Sequence, residues 1–321
     1  MNGGNRVETK WNKKSVVFVM ALIATALWGS AYPSIKAGYE FFSIEASDIG
    51  SKLVFAGYRF AFAGILVLLF FAFFQNDTFG TRKRTDGKSG WIKMILSFLA
   101  LGLMQTTIQY IFFYLGLANT TGAKGAIINS SGAFFGVILA PLFYPEDRLS
   151  LRKLFGCLVG FIGIVLINMD GSSLSGFCLT GEGFLLIAAL AQTLASFYSK
   201  KLVKHRHVML VTGSQLLLGG LPLLLIGYGM GGSLIPNGKG IALLIYMAFL
   251  SAAAFTIWTQ LLKYNPASEI TIYNLFIPVF GTLLSGIFLG EHVFTIVHVI
   301  SIICVSLGIV FVNKKKKAWV R

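Results

Sequence analysis

Residues 109–168 align without a gap on residues 254–313, a shift of 145 positions. Identities in that frame include Asn129/Asn274, Phe135/Phe280, Gly136/Gly281, Phe143/Phe288, Glu146/Glu291, Gly163/Gly308, Ile164/Ile309, Val165/Val310 and Asn168/Asn313. Leu and Val coincide by chance in any two apolar stretches; Glu, Gly and Asn seldom do. The chain therefore carries one unit twice. Each block reads as the last two and a half helices of a five-helix unit.

The solvent around these helices follows from composition. The chain is 55% hydrophobic and 12% charged, with a mean hydropathy of +0.76, whereas a water-soluble domain carries about 25% charge. Ten apolar runs, at roughly 16–36, 54–74, 93–116, 124–144, 153–169, 181–199, 208–229, 240–262, 268–289 and 296–313, are long enough to cross a hydrocarbon core of about 30 Å. Strands of alternating polarity are absent, so the spans are helices. The predicted fold is all-α and integral to the membrane, with ten transmembrane helices as two inverted five-helix repeats. A basic segment, 1–15, leads into the first repeat, 16–169. The second repeat covers 181–313, and a basic tail, 314–321, ends the chain. Five spans is an odd number, so the second copy enters the bilayer from the opposite side. Inverted repeats of this kind hold a substrate between the halves near the bilayer midplane.

The net charge of +15 invites a nucleic-acid reading, but its distribution excludes one. With the N-terminus inside, 21 of the 27 Lys and Arg fall in cytoplasmic segments and only Lys36, Lys52, Lys124 and Lys239 in external ones. That asymmetry predicts a multi-pass protein of the cytoplasmic membrane with both termini in the cytoplasm. Lys314–Lys317 read as a topology anchor against anionic lipid. The apolar run after Lys14 continues past Ala24-Thr25-Ala26, so it is a first membrane helix and not a signal peptide.

No loop is long enough for a soluble domain, and no His-Glu-x-x-His, Gly-x-Ser-x-Gly or phosphate-binding motif occurs. Neither catalytic residues nor a metal or cofactor site is expected. Cys157, Cys178 and Cys304 lack motif spacing, and two of them sit inside predicted helices as small packers. Ser150 and Thr295, each four residues after a repeated Glu, read as helix N-caps. The Gly132/Gly136 and Gly156/Gly160/Gly163 stripes read as close-packing seams, which could equally join two copies as a homodimer.

Polar side chains deep in the bilayer carry the functional argument, since leaving one buried and unpaired costs about 1–3 kcal/mol. Gln105 and Gln109 lie four residues apart in the third span. Asn129 and its repeat partner Asn274, flanked by Tyr273, lie in the fourth and ninth. Trp28 and Tyr32 in the first span, Gln192 in the sixth and Trp258 in the eighth complete a set of amides and aromatics that could line a central cavity. Arg59 is placed about five residues from the external end of the second span, about 7 Å deep. There it could meet a substrate carboxylate or snorkel to the interface.

With Trp28-Gly29-Ser30 in the first span, Arg59 in the second, and Pro278 and Leu289-Gly290-Glu291 late in the second repeat, the chain resembles the EamA-type, ten-helix branch of the drug/metabolite transporter superfamily. Trp28-Gly29-Ser30 is similar to that family's helix-one signature, and Arg59 stands where the family often has an arginine. Pro278, Leu289-Gly290-Glu291 and Gly308-Ile309 resemble its end-of-repeat pattern. The first repeat departs from it, with Ala133 in place of proline and Tyr144-Pro145-Glu146 in place of Leu-Gly-Glu. The resemblance implies membrane transport over about residues 16–313 and leaves the substrate open. No Asp or Glu lies near the middle of a predicted span, which disfavours proton-coupled export of cationic drugs. The expected activity is alternating-access transport, in the export direction, of small polar metabolites, amino acids first. The alternatives are an exporter of hydrophobic or amine compounds and a non-transporting membrane sensor or scaffold.

Overall fold

The computed structural model describes residues 9–74, 88–119, 128–168, 178–289 and 296–314. Gly290, Glu291, Thr295 and Lys315–Lys317 lie outside these residues. Among the described residues every regular element is helical: α1 (Lys14–Phe41), α2 (Ile49–Phe74), α3 (Lys88–Gly102), a π-helical segment (Leu103–Ile108), α4 (Gln109–Ala118), α5 (Ser131–Phe143), α6 (Leu151–Asn168), a second π segment (Leu179–Gly183), α7 (Phe184–Val203), α8 (Val208–Gly229), α9 (Gly238–Tyr264), α10 (Ala267–Thr271), a 3-10 turn (Ile272–Leu275), α11 (Phe276–Leu289) and α12 (Ile296–Asn313). Among the described residues seven helical stretches are long and apolar enough to span a bilayer, and Ser131–Phe143 and Val299–Asn313 are shorter apolar helices. Together they form the multi-pass helical bundle that the hydropathy pattern predicts, with α1 and α2 reaching further than the apolar runs alone.

Helix pairing follows the repeat. α1 packs on α9 and α11; α7, which opens the second half, packs on α4 and α5. These contacts are interchanged when the halves are exchanged. The two largest interfaces, α2 with α8 and α6 with α12, each join equivalent helices of the two halves.

Glycines decide how close these pairs come. A Cβ on Gly156 would lie 2.7 Å from the Gly308 carbonyl oxygen, and one on Gly163 would lie 2.8 Å from that of Ser301. Positions 156 and 301, like 163 and 308, are equivalent in the 145-residue frame. The two contacts are thus one contact repeated by a pseudo-two-fold axis. Rising numbers along α6 meet falling numbers along α12, so the pair is antiparallel. The same holds for α2 and α8, where Gly50, Gly57 and Gly64 meet Gly232, Leu224 and Leu217 in turn. Antiparallel packing of equivalent helices is what inversion of the second half requires. The Gly156/Gly160/Gly163 stripe faces Gly308, Leu275 and Cys304 of the same chain.

Two spans are broken where the site lies. The ninth tightens into the 3-10 turn Ile272–Leu275 between α10 and α11. Pro278, in the first turn of α11, has no N–H to give the Asn274 carbonyl four residues back. At the matching place in the fourth span the chain is helical at 128–129, turns at Ser130 and restarts as α5. Ala133 stands there in place of proline, and its N–H goes to the Ser130 carbonyl at 3.1 Å. Proline and alanine thus produce equivalent breaks.

Candidate functional site

The two breaks face one pocket. Tyr32 of α1, Asn129 and Ser130, Gln192 of α7, Asn274 of the 3-10 turn, and Ile277 and Pro278 of α11 line it. Free space at its centre is about 10 Å³, room for about one water. Gly29 and Gly281 bring α1 and α11 together: a Cβ on Gly29 would lie 2.5 Å from Phe280 Cβ, and one on Gly281 would lie 3.0 Å from the Tyr32 ring. That approach seats Tyr32 over the ninth-span break. On the other side Thr193 of α7 donates to the Gly132 carbonyl at 3.0 Å, holding α7 and its Gln192 against α5.

The amide oxygens lack partners. Asn129 Oδ1 and Asn274 Oδ1 are both buried without a donor among the described residues, and so is Gln109 Oε1. The pocket therefore presents pseudo-symmetric hydrogen-bond acceptors, one from each half, suited to a molecule carrying N–H or O–H donors.

Of the ten residues singled out in the sequence, Tyr32, Asn129, Gln192 and Asn274 line this pocket. Trp28 and Trp258 are not part of its lining; they pack edge to face at 5.1 Å, with Phe255 5.2 Å from Trp28. Tyr273 turns toward Phe18 of α1, 6.3 Å between ring centres, and Phe276. Gln105 is buried in the first π segment, whose next two residues bind α8: Thr106 donates to Gln215 Oε1 at 3.3 Å and Thr107 to the Gly219 carbonyl at 2.8 Å. The π turn lets both threonines reach α8, a local geometry that residue spacing does not reveal. Ser130 and Ile277 were not anticipated, although they adjoin Asn129 and Pro278 in the chain.

Arg59 differs from its expected placement. α2 begins at Ile49, so Arg59 sits ten residues, about 15 Å, into the helix. It is 2% exposed and does not snorkel. Its Nε donates to Ser251 Oγ of α9 at 2.7 Å, and its guanidinium carbon lies 4.9 Å from the Phe60 ring.

A second polar cluster, without periodic signal in the sequence, joins the two halves on the side of the bundle where Trp11 lies. Buried Asp147 accepts from Lys153 Nζ at 2.6 Å, from the Ser268 backbone N–H at 2.9 Å and from the Ser268 hydroxyl. Lys153 Nζ also donates to Ser268 Oγ at 2.8 Å. Asp147 and Lys153 belong to the first half and Ser268 to the second, so this is a clasp between them. Beside it, buried Lys200 donates to the Leu262 carbonyl at 2.6 Å and to that of Asn265, capping the C-terminal end of α9. Asn265 in turn donates to the Trp11 carbonyl at 2.9 Å. Ser150 caps α6 as expected, its Oγ accepting from the Lys153 N–H at 3.3 Å. Among the described residues no group of three His, Cys, Asp or Glu side chains could hold a metal ion.

Known proteins share this plan. An uncharacterized transporter of Archaeoglobus fulgidus is 26% identical over 306 residues, covering 93% of this chain and 98% of its own length. The uncharacterized transporter YetK of Bacillus subtilis is 27% identical over 269 residues, 82% of this chain and 78% of its own. The WAT1-related chloroplastic protein At3g02690 of Arabidopsis thaliana is 24% identical, over 82% of this chain and 61% of its own. One crystal structure shares the fold with a TM-score of 0.75 at 16% identity, over 94% of this chain and 97% of its own. The model of the EamA-like transporter family matches residues 15–169 and again residues 179–314. Matched once in each half, with a polar pocket lined from both, this chain belongs to the EamA-like transporter family.

Proposed function

We propose that the protein exports small polar metabolites, amino acids first among them, across the cytoplasmic membrane by alternating access at the pocket between its halves. Both termini face the cytoplasm in this reading, which rests on the distribution of Lys and Arg. One observation carries the substrate class: Asn129 and Asn274, equivalent in the two halves, each hold an unpartnered amide oxygen at the same pocket. A hydrophobic cargo would leave both oxygens desolvated and unpaired, at about 1–3 kcal/mol each. A substrate with N–H donors satisfies them. The clasp at Asp147 and Ser268 closes one entrance in this arrangement, and opening it would expose the pocket to the other side.

The test is counterflow in proteoliposomes loaded with single amino acids, organic acids, nucleosides or amines. Uptake of an amino acid, reduced roughly 10- to 100-fold by Asn274→Ala and by Asn129→Ala, is the expected result. Robust exchange of a quaternary amine or a hydrophobic dye, with no response to any amino acid and no effect of either substitution, would overturn the proposal.

A further inference from the structure

We infer that Arg59 is the docking point for an anionic group of the transported molecule, a carboxylate, an inference that rests on the transport reading above. A guanidinium cannot shed its charge, and a buried ion without a partner is strongly destabilising. Arg59 is 2% exposed, and no carboxylate lies within ion-pair distance of it among the described residues. What surrounds it is neutral. Ser251 Oγ accepts from Nε while donating its own proton to the Met247 carbonyl at 2.8 Å. Phe60 offers a ring face, and Tyr110 packs 4.6 Å from that ring. Dipoles of this kind soften a buried charge without neutralising it.

The geometry favours a planar anion. The guanidinium is planar and held at Nε by Ser251, and carboxylates bind this group bidentately. Rings in contact lead from the site toward the central pocket. Phe60, against which Arg59 lies, packs 6.2 Å from Phe255, which meets Trp28 at 5.2 Å, and Trp28 stands one helical turn before Tyr32 of the pocket. A substrate would therefore meet acceptors at Asn129 and Asn274 and a fixed positive charge toward Arg59. That combination selects a zwitterion over a simple amine.

The experiment compares ligands as well as variants. In proteoliposomes, counterflow of a transported amino acid is competed with its free acid, its primary amide, the corresponding decarboxylated amine, and acetate. Wild type should prefer the acid over amide and amine by roughly 10- to 100-fold. Arg59→Gln should abolish that preference, binding acid and amide alike. Arg59→Lys, which keeps the charge but not the fork, should retain part of it. The ligand series on wild type decides the matter even if a variant fails to fold. Equal competition by acid and amide in wild type overturns the inference while leaving polar-metabolite transport standing. Competition by acetate as strong as by the acid assigns the site to a free anion and overturns the substrate role. If no polar metabolite is exchanged at all, the transport reading falls and this inference falls with it.

Discussion

Asp147→Asn separates a moving clasp from static packing. The Asp147 carboxylate accepts three hydrogen bonds, from Lys153 Nζ at 2.6 Å, the Ser268 N–H at 2.9 Å and the Ser268 hydroxyl. Bonds to a charged group contribute about 1.5–3 kcal/mol each and neutral ones about 0.5–1.5, so neutralising the acceptor removes roughly 1 kcal/mol per bond. The total, about 3 kcal/mol, is roughly a 100-fold change in an equilibrium constant. Solvent screening removes little of it, because the Asp147 and Lys153 side chains are only 1% and 12% exposed. Asp147→Ala should sit higher, at about 3–5 kcal/mol, since it strands a charged lysine. If these bonds break when the bundle opens on this side, the substitution shifts the population toward the open state by about that factor. Thr271 reports it. It is buried, one helical turn from Ser268, and packed where a Cβ on Gly136 would lie 2.1 Å from its hydroxyl. In a background with Cys157, Cys178 and Cys304 replaced, a Thr271→Cys thiol should react slowly with a water-soluble reagent added from the side on which Asp147 and Trp11 lie. Adding Asp147→Asn should speed the reaction on the order of 100-fold. An unchanged rate accompanied by a lower melting temperature would refute the clasp and leave Asp147 as packing alone.

Two further outcomes are expected. Gly308→Ala puts a Cβ 2.5 Å from the Gly156 carbonyl oxygen and 2.7 Å from the Gly160 nitrogen, both backbone atoms that cannot rotate away. It should cost about 1–3 kcal/mol in thermal unfolding, whereas Gly238→Ala, with nothing within 4 Å, should be near neutral. Equal melting temperatures would refute the account of the α6–α12 seam. His207 caps α8 by accepting the Met209 N–H at 3.3 Å, and desolvation together with Lys263 lowers its pKa below 6.5. A base whose folded pKa is depressed contributes fully above its unfolded value and loses that contribution as pH falls from there toward the folded value. Thermal stability should therefore decline on acidification below about pH 6.5. His207→Asn, still a good N-cap, should flatten that decline; an unaltered pH profile would exclude His207 as its source.

Much of this architecture is already present in the amino-acid order. Run length alone locates the spans, because a bilayer demands helices of a set length. The 145-residue frame pairs Asn129 with Asn274, and both face one pocket. The frame also relates Gly156 to Ser301 and Gly163 to Gly308, the residues that meet across the α6–α12 seam. Which side of each helix faces protein is a different matter. A span without amphipathic bias, such as α8, carries no stripe to mark its inner face, since lipid and protein interior are alike to Leu or Phe. Packing decides it, and packing explains the differences from expectation. Arg59, placed near the interface by hydropathy, lies deep because α2 begins at Ile49 and because glycines bring α8 against that helix. Lys200 has the sequence character of a cytoplasmic charge, yet it is buried because the carbonyls ending α9 lie within its reach. Asp147 and Ser268 are 121 residues apart and share no pattern. Sequence by itself determined the membrane helices, their number and their internal symmetry, all of which follow from local hydrophobicity and repetition. Tertiary structure alone decided which polar side chains meet, because that depends on how far backbones can close at each glycine and on where each broken helix turns.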